Sequence, residues 1–138
     1  MLEVVSLASA DSLGPARGMV EVDPDRPLAT QIVSAAGAAP PDRVVDFAID
    51  AWGADALLDR HPRPMSRGER QLCALLITIA TPTGALALVD PTAGLDARRR
   101  WAVAALLADL ALDRPISIAS DDPVFDRYRS GTGGGATS

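Results

Sequence analysis

From Leu72 to Val89 eighteen consecutive residues carry no charge, and what that run folds into constrains the rest of the chain. One unbroken helix of that length and polarity would suggest a membrane span. Thr78, Thr81, Pro82, Thr83 and Gly84 interrupt it. Pro82 has no N–H and its ring clashes with the preceding turn, so a helix has to stop before it. At the other end, Ser66 and Glu69 have the spacing of a capping box, in which a hydroxyl and a carboxylate satisfy each other's backbone amides. The run therefore reads as a helix opening at Ser66 and reaching about Ala80, then a turn, then a buried strand over Ala85 to Val89.

The downstream sequence continues the alternation. PTAGLD turns the chain, and Ala97 to Leu112 reads as an amphipathic helix with Trp101, Ala105, Leu106 and Leu110 near one face. Ile116 to Ala119 reads as a second buried strand. Helix, strand, helix, strand with short connections implies parallel strands and a right-handed crossover. Strands without polar alternation imply helices on both faces of the sheet. Upstream, Leu2 to Leu7 and Met19 to Val22 read as short strands, with a loop at Gly14, Pro15 and Gly18 and a turn over Asp23 to Pro27. Leu28 to Ala36 reads as a helix ending at Gly37. Asp42 starts another, which carries Val44, Val45, Phe47, Ala48 and Trp52 at helical spacing, breaks at Gly53 and is followed by a short turn over ADALLD. The tail RSGTGGGATS has too little apolar content to pack. The expected organisation is one α/β domain over residues 1–128 and a disordered tail over 129–138.

Composition removes several chemistries. All thirteen basic residues are arginine and none is lysine, which excludes a Schiff-base lysine and the phosphate-binding lysine of a Walker A loop, G-x-x-x-x-G-K-[ST]. A net charge of −5 without a dense basic block argues against nucleic acid as a partner. Arg98, Arg99 and Arg100 form the one basic run and read as a solvated helix face. Cys73 is the single cysteine, so no internal disulfide forms; among apolar helix residues it reads as an inert buried thiol. His61, alone between Arg60 and Pro62, is no basis for a metal site. MLEVVSLASADS has Glu3 early and no positive charge ahead of its apolar residues, and does not read as a secretory signal.

Three motifs carry a resemblance to a known family. MSRGERQ is similar to the signature LSGGQ-RQ of the ATP-binding cassette (ABC) ATPases of transporters. ALALVDPTAGLD resembles their Walker B and D-loop, usually LLLLDEPTAGLD, and SIASDD stands where the strand and the H-loop His-Asp would follow. GADALLDRHPRP resembles the segment leading into the signature. The similarity covers Ala51 to about Phe125. It implies a truncated ABC-ATPase-like, P-loop NTPase-like α/β domain: a small parallel sheet flanked by helices, with a helical segment before the signature.

The resemblance also implies roles. In the family the signature presents helix-start amides to a phosphate of ATP held by the opposite cassette of a dimer. Ser66, Arg67, Gly68 and Glu69 would make that contact in trans, and Asp96 falls in the D-loop. A bulky residue at Gly68 is expected to leave the cap intact while blocking the phosphate. Asp90 falls either where the family has its catalytic Glu, with Val89 at the Walker B Asp position, or at Walker B with the Glu deleted. Either alignment loses one carboxylate of the pair. Asp121 stands at the H-loop His position, and Val22 in VEVDPD at the nearest counterpart of the Q-loop Gln. No Walker A motif precedes these elements, although MLEVVSL faintly resembles the family's opening strand.

Three functions are consistent with this pattern. The first is a degenerate cassette subunit without autonomous ATP hydrolysis, the accessory or regulatory partner of a full cassette or membrane permease. The second is a signature donor completing an ATP–magnesium site shared with a partner cassette. The third is a small α/β protein-interaction module. The chain is expected to hold no cofactor of its own and no metal. Its expected place is the cytoplasm, peripheral to the inner face of the membrane through a transporter complex and without direct insertion.

Overall fold

The computed structural model describes residues 2–13, 19–38, 43–82 and 84–129. The regular elements in chain order are β1 (Leu2–Val5), α1 (Leu28–Ala36), α2 (Arg43–Ala51), α3 (Arg67–Ala80), β2 (Leu86–Val89), α4 (Ala97–Leu110) and β3 (Ile116–Ala119), with short 3-10 turns at Leu7–Leu13, Asp55–Leu57 and Pro123–Tyr128. The uncharged run divides at its proline, as the sequence requires. The Ser66 hydroxyl accepts from the Glu69 amide at 3.1 Å and the Glu69 carboxylate accepts from the Ser66 amide at 2.9 Å, which is the capping box in full. At the far end the Arg114 guanidinium donates to the Thr81 carbonyl at 3.3 Å; a cation at a helix C-terminus suits the dipole as well as the orphan carbonyls. Among the described residues no helix is long and apolar enough to cross a membrane.

The three strands form one parallel sheet in the order β1-β3-β2. Strand β3 is central, so its row partners run Val4–Ile118–Leu88 and Glu3–Ser117–Ala87. The first row is buried, and it faces a core supplied by Leu72, Leu75, Leu76 and Ile79 of α3 and Val103 and Leu107 of α4. The second row is half-buried to exposed, and the Ser117 hydroxyl donates to the Glu3 carboxylate at 3.4 Å. On that same face Ala119 is fully buried while Val89 is at the exposed margin, so its cover is partial.

Other expectations are corrected. Met19 to Val22 is no strand: the Val20 amide donates to the Thr78 hydroxyl of α3 at 3.0 Å, which takes the place of a ladder partner. The first strand stops at Val5, because the chain turns immediately into a 3-10 segment. Helix α4 ends at Leu110, two residues early, and its buried face is Val103, Ala104, Leu106, Leu107 and Leu110. Trp101 is 53% exposed and Ala105 is exposed too. The guanidinium of Arg127 lies over the Trp101 ring, 6.0 Å from its centre, so a cation rather than the core meets this indole. The helix start proposed at Asp42, the loop glycines 14 and 18, Pro15, Thr83 and the tail beyond Arg129 lie outside the described residues.

One contact fixes how α3 meets the turn between β2 and α4. A Cβ placed on Gly68 would lie 2.6 Å from the Gly94 carbonyl oxygen, closer than any side-chain carbon can approach. Gly94 itself has φ +79, the left-handed region glycine enters without steric cost. Gly68→Ala is therefore expected to lower stability by about 1–3 kcal/mol through overpacking, although alanine is the better helix former by about 1 kcal/mol. Gly84→Ala, with open space around its Cα, serves as the control. Equal unfolding midpoints for the two variants in urea would refute the close approach.

Candidate functional site

The acidic residues singled out by sequence gather where the parallel strands end, the edge at which α/β sheets usually bind ligands. Asp90 follows β2 and adopts φ +51, a left-handed conformation tolerated by Asp better than by most residues. Its backbone is held on both sides: its amide donates to the Ala119 carbonyl at 2.8 Å, and its carbonyl accepts from the Ala93 amide at 3.2 Å. The side-chain amide of Gln71, one α3 turn beyond Gly68, donates to the carbonyls of Pro91 at 2.8 Å and Asp90 at 3.3 Å. Gln71 thus clamps the turn that carries Asp90.

After β3 the chain presents Asp121 and Asp122, and the two are used differently. Asp121 is exposed and accepts from the Leu7 amide at 2.9 Å, capping the 3-10 turn that follows β1. Asp122 is drawn inward. It accepts from the Thr92 hydroxyl at 2.6 Å and the Val124 amide at 2.9 Å, and Arg100 lies 3.7 Å away. The pair Thr92–Asp122 ties the Asp90 turn to the end of the central strand.

The signature-like residues sit on the other side of that turn. Ser66 and Arg67 are exposed, Gly68 and Glu69 half-buried, and the Arg67 side chain runs over Gly94. Because Gly68 packs on the Gly94 carbonyl, a bulky residue there disturbs the fold as well as any phosphate, so the separation of cap from phosphate approach expected at this position fails. Asp96 is the N-cap of α4, accepting from the Arg99 amide at 2.9 Å. The three-arginine run divides: Arg98 is exposed, Arg99 donates to the Trp52 carbonyl at 3.1 Å and Arg100 pairs with Asp122. The structure therefore places Arg67 and Gly68 against the 90–96 turn, keeps Ser66 and Glu69 in the cap of α3, and sends Asp121 to the β1 exit. Sequence reasoning missed Gln71 and Thr92; Gln71 stood in the RQ pair that closes the signature pattern, and Thr92 in PTAGLD, but neither spacing says which carbonyl or carboxylate each meets.

Two titrations follow from the surroundings. Glu69 is held below its ordinary value of 4.5, first by the Ser66 amide; burial opposes this, and the Ser66 hydroxyl and the charges of Arg60 and Arg99 add to the lowering. Cys73 is buried and its thiol is pushed up to about 11, burial being the largest cause. It stays a protonated, unreactive thiol at neutral pH, as its apolar helix setting implies. Among the described residues no three His, Cys, Asp or Glu side chains converge to hold a metal ion.

With this geometry in view, the comparisons with known proteins fall into a consistent pattern. No family model matches the chain. The biotin transport ATP-binding protein BioM of Rhizobium etli is 39% identical over 66 residues, which cover 48% of this chain and 30% of that protein. The molybdenum import ATP-binding protein ModC of Methylococcus capsulatus is 36% identical over 81 residues, 57% of this chain and 23% of that protein. Among solved structures, RNase-L Inhibitor superposes with a TM-score of 0.67 over 86% of this chain and 28% of its own, at 16% identity. An inward-facing metal-chelate type ABC transporter gives 0.61 over 89% and 62%, at 20% identity. The fold is an ABC-ATPase-like α/β fold with a small parallel sheet. In sequence the chain is related to the ATP-binding proteins of ABC transporters, and its matches span under a third of the length of these two relatives.

Because the folded-state acidity of Glu69 lies on the low side, its contribution to stability is complete above its ordinary value of 4.5 and is lost as pH falls through the folded-state value. Glu69→Gln keeps the acceptor for the Ser66 amide but cannot titrate. The melting-temperature advantage of the native chain over Glu69→Gln is expected to shrink between about pH 6 and about pH 3. An advantage constant over that interval would remove the carboxylate from the cap's energetics.

Proposed function

We propose that the chain is a degenerate ABC-ATPase-like subunit that does not hydrolyse ATP by itself and acts as the accessory or regulatory partner of a full cassette or a permease. It would lie at the inner face of the membrane through that complex, with any ATP and magnesium held by the partner. The observation that carries this reading is the capture of the Leu7 amide by Asp121. A P-loop binds phosphate with the backbone amides that follow its first strand and with a lysine. Here the turn after β1 receives a carboxylate from within the chain, and no lysine exists to answer a phosphate. At an effective dielectric of about 20, one uncompensated carboxylate about 4 Å from a phosphate charge opposes binding by about 4 kcal/mol. Asp90, placed at the catalytic acid or Walker B position, would stand without a second carboxylate of the pair.

A second reading draws on the exposed start of α3. The Ser66 hydroxyl accepts from the Glu69 amide and is engaged with the Glu69 carboxylate, so what this helix start offers an anion is the positive end of its dipole. Arg67 adds an exposed positive charge beside it. Ser66, Arg67, Gly68 and Glu69 would then complete an ATP site on a competent cassette in trans, with Asp96 holding the neighbouring turn. The biotin and molybdenum transport ATP-binding proteins among the relatives make such a cassette the natural partner class under this reading.

Two measurements test these readings. Titration calorimetry of the isolated chain with magnesium-ATP is expected to give no saturable heat, and micromolar binding would overturn the degenerate reading. For the trans reading, Arg67→Glu replaces a cation with an anion, which the helix N-terminus favours, but repels a phosphate. ATP turnover of a reconstituted complex is expected to drop with Arg67→Glu while the melting temperature of the isolated chain holds. Unchanged turnover in an intact complex would leave the signature without a catalytic part.

A further inference from the structure

We propose that the cleft between α2 and α4 is a docking site for a basic amphipathic helix of a partner protein, which lays apolar side chains into the cleft and sets Lys or Arg residues against its acidic edge. The cleft has a volume of about 290 Å³, with Val44, Phe47, Leu106 and Leu110 as its apolar lining and Asp109 and Asp113 at its edge. Phe47 is the telling residue. Helix α2 buries Val45 and Ala48 on its inner side, and Phe47 is left 59% exposed beside the cleft. Single exposed apolar side chains are ordinary; a phenyl ring bordering an apolar hollow is the half of a contact that another chain can complete.

The charges select the occupant. Asp109 and Asp113 are one helical turn apart in sequence and both exposed, and Asp46 next to Phe47 is exposed too. Among the described residues Arg43 is the one cation lining the cleft, so carboxylates outnumber it there, and the whole chain carries −5. A second copy of this chain would bring the same acidic edge and the same net charge. A helix with leucine or phenylalanine on one face and lysine or arginine beside it meets both the apolar lining and the acidic edge. At the lower margin of the roughly 300–1,000 Å³ typical of small-ligand sites, the hollow suits a few side chains better than a cofactor. It uses none of Ser66, Arg67, Gly68, Glu69, Asp90, Asp96 or Asp121, so it stands or falls separately from the ATP readings.

The test uses the full chain and two synthetic helical peptides of equal length, one Leu/Lys and one Leu/Glu, each with its leucines on one face. Fluorescence anisotropy is expected to give saturable binding of the Leu/Lys peptide and none of the Leu/Glu peptide. The double variant Asp109→Asn, Asp113→Asn and the single variant Phe47→Ala should each weaken it at least tenfold, about 1.4 kcal/mol, with circular dichroism and melting temperature unchanged. Should Phe47→Ala fail to fold, the exposed aspartates decide alone. Absent binding of the Leu/Lys peptide, equal binding to the variants, or equal binding of the Leu/Glu peptide overturns the proposal. A dimer of the native chain that Phe47→Ala disperses, without peptide binding, also overturns it and gives the cleft to a second copy.

Discussion

The approach of Gly68 to the Gly94 carbonyl is the contact on which the C-terminal half of the fold depends. With 2.6 Å where a side-chain carbon would stand, the first turn of α3 can lie directly on the backbone of the β2–α4 turn. That nearness lets Gln71, one turn further along, reach the Asp90 and Pro91 carbonyls, and lets the Arg67 stem cover Gly94. The same turn is pinned from the far side by Thr92 to Asp122 and by the Asp90 amide to Ala119. A backbone held in this way can keep a non-glycine residue, Asp90, at positive φ, a conformation that costs free energy and persists only where surroundings over-determine it.

Much of this was legible because it rests on local chemistry. The capping box at Ser66, the stop before Pro82 and the strands Leu86–Val89 and Ile116–Ala119 follow from caps, a missing N–H and apolar runs, all encoded within a few residues. The buried, unreactive state of Cys73 was legible for the same reason, an apolar run on both sides of it. What escaped depends on partners distant in sequence. Met19 to Val22 has strand composition, yet its Val20 amide finds the Thr78 hydroxyl 58 residues away. Trp101 looked like core by helical spacing, but the buried stripe of α4 runs through Val103, Ala104 and Leu107. An alanine-rich helix offers more than one apolar stripe, and only the shape of the sheet beneath chooses between them. The partial cover of the second face had a legible trace in Glu3 and Ser117, which the apolar reading of the strands passed over.

Among the site residues, identity was readable and geometry was not. Ser66, Glu69 and Asp96 stand at helix N-termini, Asp122 caps the Pro123–Tyr128 turn, and Asp121 caps the one at Leu7. Helix N-caps contribute about 1 kcal/mol each whatever else they do. A motif-like string of hydroxyls and carboxylates can therefore be explained by the fold alone, and similarity in these positions is weak support for chemistry. The discriminating quantity is what hydrogen-bonding capacity the caps leave over.

By that measure the two edges of the site differ. At the α3 start, the Ser66 hydroxyl is engaged by both the amide and the carboxylate of Glu69, and the cation of Arg67 stands exposed beside it. At the exit of β1, the Leu7 amide is already bound by Asp121. A phosphate arriving there would have to displace the Asp121 carboxylate from the Leu7 amide, whereas at α3 it would meet the Arg67 cation beside a cap that already stands. Charge adds to this asymmetry, since the α3 edge is a helix N-terminus that favours anions and the other edge presents the exposed carboxylate of Asp121. Under both proposed functions the nucleotide accordingly stands on a partner, and under the second the Arg67 edge of α3 faces it.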